Sequence, residues 1–263
     1  MSRDQRLPAQ IDTEHPSPAR VYDYVLGGKD NYAADREAAG RVLELEPHAR
    51  DSAVENRRFL ARVVKHLAEQ GIEQFLDLGS GLPTMDNVHR VAQRHVPDAR
   101  VVYVDFDPMV LAHARALVNP DEGVTYVHSD IRDVAKVLEG ARGLLDLSKP
   151  VALLAIAVLH FVPDEDDPAG LVAAYARQLA CGSRVAISCA STEDVSPELI
   201  ARIRSVYDNA PSPLYLRPRD RIRSLFGNLE LLEPGLVHVT DWPVPSGTPR
   251  LPLTMLGGVA MIP

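Results

Sequence analysis

Cysteine is scarce in this chain, as are long apolar runs and any surplus of positive charge, and each shortage excludes something. Only Cys181 and Cys189 occur among 263 residues, and they form no CxxC pair. That leaves no disulfide framework and points to a reducing compartment, where both read as buried hydrophobes. No apolar run approaches the ~18 residues that mark a bilayer-spanning helix, so no membrane partner is expected. The opening MSRDQRLPAQIDTEHPSPAR is polar and proline-bearing rather than a secretory signal, and a cytoplasmic location is the expectation. A formal net charge of −8 argues against general nucleic-acid binding. Metal-ligand spacing is missing too, since His89, His95, His113 and His128 stand in no ligating pattern; no metal is expected.

What is present is an ordinary globular composition, 46% hydrophobic and 24% charged, which suits one large α/β domain. The pattern predicts a flexible leader over 1–16, an N-terminal helical extension over 17–70 and an α/β core over 71–263. Within the extension, helices are expected at about 17–27, Asp35–Leu45 and Asp51–Gln70, the last carrying an apolar stripe of Val54, Phe59, Leu60, Val63, Val64 and Leu67. Strands follow at Gln74–Leu78, Arg100–Asp105, Thr125–His128, Ala152–Ala157 and Arg184–Ser188. Helical stretches near 85–95, 107–117, 131–138 and 168–179 separate them. A helix from Ser196 to about Asn209, another at Arg219–Phe226, and a strand pair Leu229–Val239 and Thr254–Ile262 complete the chain. Such alternation implies parallel βαβ units with ligands at the carboxyl ends of the strands.

The first strand ends in FLDLGSGLPT, residues 75–84. Gly79 and Gly81 allow a sharp turn and close backbone approach. A nicotinamide fingerprint wants a third glycine three residues on, where this chain has Thr84. Asp77, two residues before the turn, would repel a pyrophosphate and attract an ammonium. S-adenosylmethionine carries both an ammonium and a sulfonium, and it fits. The bland alternative is a tight turn without a ligand. Asp105 ends the second strand, where a carboxylate accepts from ribose hydroxyls; Asp107 before Pro108 reads as a helix cap. Asp130 ends the third strand and is placed to accept the adenine amino proton while Ile131 covers the ring, or else to serve as a turn residue beside a core contact. Ser80, Phe106 and Ala157 flank these positions and are assigned to the same cofactor pocket.

The set Asp77-Gly79-Gly81, Asp105 and Asp130 resembles class I S-adenosylmethionine-dependent methyltransferases. More narrowly, the chain is similar to a bacterial family called S-adenosyl methyltransferase, once a domain of unknown function. The stretches that carry the likeness are PSPARVYDYVLGGKDNYAADRE, ENRRFLARVVKHLAEQGIEQFLDLGSGLPTMDNVHRVAQ, VVYVDFDPMVLAHARALV, VLHFVPD, LVHVTDWPVP and LGGVAMIP, nearly the whole chain from Pro16. The resemblance implies a Rossmann-like fold: a mostly parallel seven-stranded sheet, helices on both faces and an N-terminal helical lid. It also implies S-adenosyl-L-methionine as cofactor and S-adenosyl-L-homocysteine as product, and it names no acceptor. One departure is WPVP, where the family carries a basic residue after the tryptophan.

In RVYDYVLGGKDNYAADRE the bland reading is a helix closed by Gly27-Gly28, then a turn. The functional reading is a lid on the cofactor: Tyr22 covers the methionine end and hydrogen-bonds its carboxylate, with Tyr32 a second candidate, and Gly27 and Gly28 permit close approach. Lys29 is either a solvated charge or a contact for an anionic acceptor. At the fourth strand's end, AIAVLHFVPDEDD, methyl transfer needs alignment and desolvation first. The [ND]PP[YF] signature of many nitrogen methyltransferases is absent. His160 is the ionisable side chain inside this run and is the candidate catalytic base, against the simpler reading of a histidine lining the strand tip. Asp164 to Asp167 read as the start of the next helix. Methyl transfer to a small-molecule acceptor is the leading function; a cofactor-binding regulatory protein is the alternative, and a nicotinamide oxidoreductase fails on Thr84 and Asp77.

Overall fold

A computed structural model describes residues 11–83, 86–117, 123–207, 210, 212–245, 247 and 254–263. Of the expected leader, positions 1–10 lie outside the described residues. Three helices open the fold, α1 (Pro18–Val25), α2 (Ala33–Leu45) and α3 (Ala49–Glu69). The alternating core follows: β1 (Gln74–Leu78), α4 (Val88–Gln93), β2 (Arg100–Asp105), α5 (Pro108–Leu117), β3 (Val124–His128), α6 (Val134–Ala141), β4 (Ala152–Ile156), α7 (Pro168–Ala176) and β5 (Arg184–Ala190). The closing part is α8 (Pro197–Val206), α9 (Arg219–Ser224), β6 (Glu230–Leu231), β7 (Val237–His238) and β8 (Met255–Met261). No described helix is long and apolar enough to cross a membrane.

Every residue of β1 and β4 is buried, as expected for parallel strands covered on both faces. Side-chain alternation then divides the core. Leu76, Leu78, Val102, Val104, Leu153 and Ala155 pack on one side with α6 and α7 through Val137, Leu171 and Tyr175. Phe75, Val101, Tyr103, Ala152 and Leu154 pack on the other with α3 and α4 through Phe59, Val63 and Val91. Burying each large apolar side chain contributes about 1.5–3 kcal/mol, so the two faces together hold the sheet.

The strand order is β3-β2-β1-β4-β5-β8-β6, with β7 also on β8. Strands β1 to β5 pair in parallel and β8 runs antiparallel to β5. The strand expected over Leu229–Val239 is two short pieces, β6 and β7, both paired with β8. Pro234 has no N–H for a ladder, and the Gly235 N–H turns back onto Leu232 O. The sheet thus has seven positions and eight strands among the described residues. The helix expected over 131–138 starts later, because Asp133 caps it by accepting the Lys136 N–H.

A third apolar cluster joins α1, α2, the start of α3, and α8 through Val21, Val42, Ala53, Ile203 and Tyr207. It forms a roof facing the strand tips across a cavity. A buried charge group seats it. The Arg20 guanidinium donates to Asp35 at 2.9 Å and lies 3.6 Å from Asp107, while Ser17 donates its N–H to Asp35 and its hydroxyl to Asp107. Arg20, Asp35 and Asp107 are all nearly inaccessible to solvent.

Candidate active site

The strand order reverses between β1 and its neighbours β2 and β4, the place where open α/β sheets hold ligands. The cavity opens there. After β1, Gly79 and Gly81 adopt φ of 67° and 65°, and the N–H groups of Gly79 and Ser80 both donate to Val104 O. A Cβ on Gly79 would overlap the Val158 side chain, whereas one on Gly81 would meet nothing within 4 Å. Gly79 therefore serves packing, and Gly81 presents open backbone to the cavity. The Ser80 Oγ is buried without a hydrogen-bond partner among the described residues.

Asp77 lines the cavity and is 4% exposed. Burial pushes its carboxyl up to about 7, with Asp105 adding to the rise and the Arg57 guanidinium opposing it. Asp105 is also buried and pushed up to about 6. Its two oxygens are already engaged, one accepting the Gly81 N–H at 2.8 Å and the other the Asp107 N–H at 2.9 Å. Asp107 accepts the Met109 N–H at 2.8 Å as a helix cap. Phe106 lines the cavity and is 44% exposed, unusual for a large apolar ring. Ile131 lines it as well while belonging to the core. Asp130 reaches the same cavity, and Arg132 grips it through Nη2 at 2.6 Å and its N–H at 2.8 Å. Burial works to raise the Asp130 pKa, and the Arg132 hydrogen bonds outweigh it, holding the carboxyl below its usual range.

The expected strand end at Ala157 leaves the sheet, with φ of 55°. A polar relay holds it there. The Ala157 N–H donates to Ser188 Oγ at 3.1 Å, Ser188 Oγ donates to Asn56 Oδ1 at 2.6 Å, and Asn56 Nδ2 donates to the Tyr22 hydroxyl at 3.2 Å. Tyr22 in turn donates to Ala53 O at 3.0 Å, so this cavity-lining tyrosine is tied to α3. His160 lines the cavity, and its Nδ1 accepts the Ala190 N–H at 3.2 Å. Burial, with the nearby Arg217 charge, pushes it down to about 3, so the ring is neutral and its proton sits on Nε2. Of the acids after it, Asp167 caps α7 through the Gly170 N–H, while Asp164 pairs with Arg217 at 2.8 Å.

Gly27 and Gly28 are not among the cavity-lining residues. A side chain at Gly27 would overlap Arg50, and one at Gly28 would overlap the Asp23 carboxylate. Asp23 Oδ2 accepts from the Asp30 N–H and Asn31 Nδ2, both at 2.9 Å. The glycine pair thus makes room for an internal carboxylate-centred turn. Tyr32 is also off the cavity, its ring lying under the Arg20 guanidinium at 5.4 Å, and Lys29 is exposed.

Sequence reasoning passed over Asn56, Arg57 and the roof residues Ile203, Tyr207 and Leu214, all of which line the cavity. One signal was available. Asn56 stands at i with Phe59, Leu60, Val63 and Val64 at i+3, i+4, i+7 and i+8, a polar residue on an apolar helix face.

The family model described as S-adenosyl methyltransferase matches residues 4–263. A DUF574 family protein from Streptomyces avermitilis is 40% identical, with 97% of this chain and 100% of that one covered at a TM-score of 0.91. A protein from Thermobifida fusca, provisionally assigned as a methyltransferase, is 38% identical over 95% of this chain and 96% of its own, with a TM-score of 0.87. Human N-acetylserotonin methyltransferase, solved with S-adenosylmethionine, shares the fold at 13% identity and a TM-score of 0.52, over 94% of this chain and 62% of its own. No curated protein matches the chain. Matched over nearly its whole length, the chain belongs to the S-adenosyl methyltransferase family, with a class I methyltransferase fold and S-adenosylmethionine as methyl donor.

Proposed function

We propose that the cavity is the methyl-transfer site, and that the acceptor is a small molecule enclosed beneath the roof, in a single cytoplasmic domain. The observation that carries this is Asp77. Its carboxylate is buried beside an open glycine turn and lines the cavity, with the Arg57 charge only partly offsetting its burial. Burying a carboxylate costs several kcal/mol unless something offsets it; Arg57 offsets part of that cost, and the ammonium of the donor's amino-acid end supplies the rest.

The other lining groups fit the rest of that molecule. Asp105 has lone pairs left after its two backbone bonds and serves the ribose hydroxyls; Gly81 lets them come close. Phe106 and Ile131 offer faces to the adenine ring, and Asp130 accepts from its amino group. Arg57, coupled in charge to Asp77, suits the methionine carboxylate, and the Ser80 hydroxyl finds a partner there. Tyr22 and Ala157 wall the methionine end. When bound, S-adenosylmethionine supplies a methyl on a sulfonium that any aligned nucleophile displaces. The chain's own contribution is to orient the donor, align the acceptor and exclude water. Calorimetry with S-adenosylhomocysteine and with NAD tests the reading: saturable binding of the first and none of the second is expected. NAD binding without adenosylhomocysteine binding would overturn it.

A further inference from the structure

The lining of the cavity changes character from floor to roof. On the floor stand Asp77, Asp105, Asp130 and Arg57, already matched to the donor. The roof is built from Val42, Ala49, Ala53, Ile203, Tyr207 and Leu214, which line the cavity and belong to the apolar cluster of α1, α2, α3 and α8. Each charged residue that lines the cavity outside the floor is compensated within the protein. Asp23 is taken up by the Asp30 N–H and Asn31, and Arg132 bridges Asp130 and Asp166 at 2.6 Å each.

His160 lines the same cavity from the end of β4 and has donor capacity to spare. Its Nδ1 is committed to the Ala190 N–H, which leaves Nε2–H as a donor and no lone pair to receive a proton. Arg217 fixes the segment that carries it, donating to Leu159 O and Val162 O, while the Tyr215 N–H donates to His160 O at 2.7 Å. The backbone that carries the ring is therefore held by Arg217 and Tyr215, and the ring itself by the Ala190 N–H.

The geometry points to a neutral, largely apolar acceptor that bears a hydrogen-bond-accepting oxygen or nitrogen beside its reacting atom, with His160 Nε2–H donating to that atom. An ionised group pressed against this roof would be desolvated with no opposite charge to meet it, at a cost of several kcal/mol. A neutral ring or chain gains by burial against it. His160 acts as a hydrogen-bond donor that selects and orients the acceptor, and any proton the acceptor loses goes to water. This inference rests on the proposed site and adds the chemical class of the second substrate.

The test uses full-length protein saturated with S-adenosylhomocysteine and three probes of one shape, 2-naphthol, 2-naphthoate and 2-naphthylmethylammonium, titrated by calorimetry at pH 7. The neutral naphthol is expected to bind at least tenfold more tightly than either charged probe. Ile203→Phe, which fills the roof, should weaken naphthol at least tenfold and leave adenosylhomocysteine affinity within twofold. Ser212→Tyr adds bulk at a half-buried cavity position and is the variant to use if Ile203→Phe does not fold. His160→Phe should weaken naphthol about fivefold, the worth of one neutral hydrogen bond, and His160→Gln, which keeps an N–H donor, should restore most of it. Tightest binding of a charged probe, no naphthol binding, or naphthol affinity indifferent to the roof variant would overturn the inference. Failure of adenosylhomocysteine itself to bind would instead remove the site proposal beneath it.

Discussion

The proton on Asp77 offers the sharpest quantitative test of the donor site. A carboxyl raised from 3.8 to about 7 by burial is largely protonated at pH 6 and largely ionised at pH 8. A ligand ammonium is attracted to the ionised form alone, so binding must expel the proton wherever it is present. One unit of pH below the folded pKa then weakens affinity about tenfold. Between pH 8 and pH 5 the dissociation constant of S-adenosylhomocysteine should rise roughly a hundredfold, and more once Asp105, raised to about 6, also protonates. Calorimetry at pH 6 in buffers of different ionisation enthalpy should register the release of nearly one proton. Asp77→Asn should bind at least tenfold more weakly at pH 8, because a charge-assisted hydrogen bond is worth about 1.5–3 kcal/mol, and its affinity should lose most of the pH slope.

Stability without ligand moves in the opposite direction. Between pH ~4 and ~7 the folded protein binds more protons at Asp77 than the unfolded chain does, so stability is full below pH ~4 and declines as pH rises through ~7. The full shift corresponds to about 4 kcal/mol at 1.36 kcal/mol per unit, so Asp77→Asn should raise the melting temperature at pH 8 while it weakens ligand binding. A general folding defect would lower both. Equal affinity at pH 8 and pH 5 in the parent protein, or the same slope in the Asn variant, would refute the reasoning.

The two turn glycines should separate packing from binding. Gly79→Ala forces the new methyl into Val158 and should lower the melting temperature more than Gly81→Ala, which has open space; the latter should lose more adenosylhomocysteine affinity for a given loss of stability. Arg20→Met leaves Asp35 and Asp107 buried without their cation, and urea unfolding should register a loss of about 3–5 kcal/mol. His160, held down to about 3, binds fewer protons folded than unfolded between pH ~3 and ~6.5, so it should cost stability as pH falls through that window. His160→Gln should flatten the acid limb of the thermal stability profile.

The central strands β1 and β4 were legible because strands buried on both faces are mostly apolar, and the acids near the ends of β1 and β2 stand out against that background. Asp77 and Asp105 were picked out that way as candidates, and both line the cavity. The roof was not legible in the same degree. Periodicity shows that α8 has an apolar side, but nothing in residues 197–206 says that the side meets Val42 and Ala53, some 150 positions earlier. Gly27 and Gly28 mark the opposite limit. A glycine pair signals that something comes close, and here the chain's own Arg50 crowds Gly27 and its Asp23 crowds Gly28. The split of Leu229–Val239 followed from Pro234, whose missing N–H was visible in the sequence but not its effect on the pairing with β8.

Asp107 sits at a junction between two parts of the site. On one side it holds Arg20 and Ser17, and with them the roof; on the other, its N–H rests on Asp105, whose second oxygen holds the Gly81 N–H of the donor turn. These four contacts join the cover of one substrate to the cradle of the other. Such a connection is a route for linkage: to whatever extent a donor that steadies the turn also steadies the roof, an acceptor settled under the roof raises donor affinity by the same factor. Positive cooperativity between the two substrates would then need no motion of the sheet, only the shared stiffness of one aspartate.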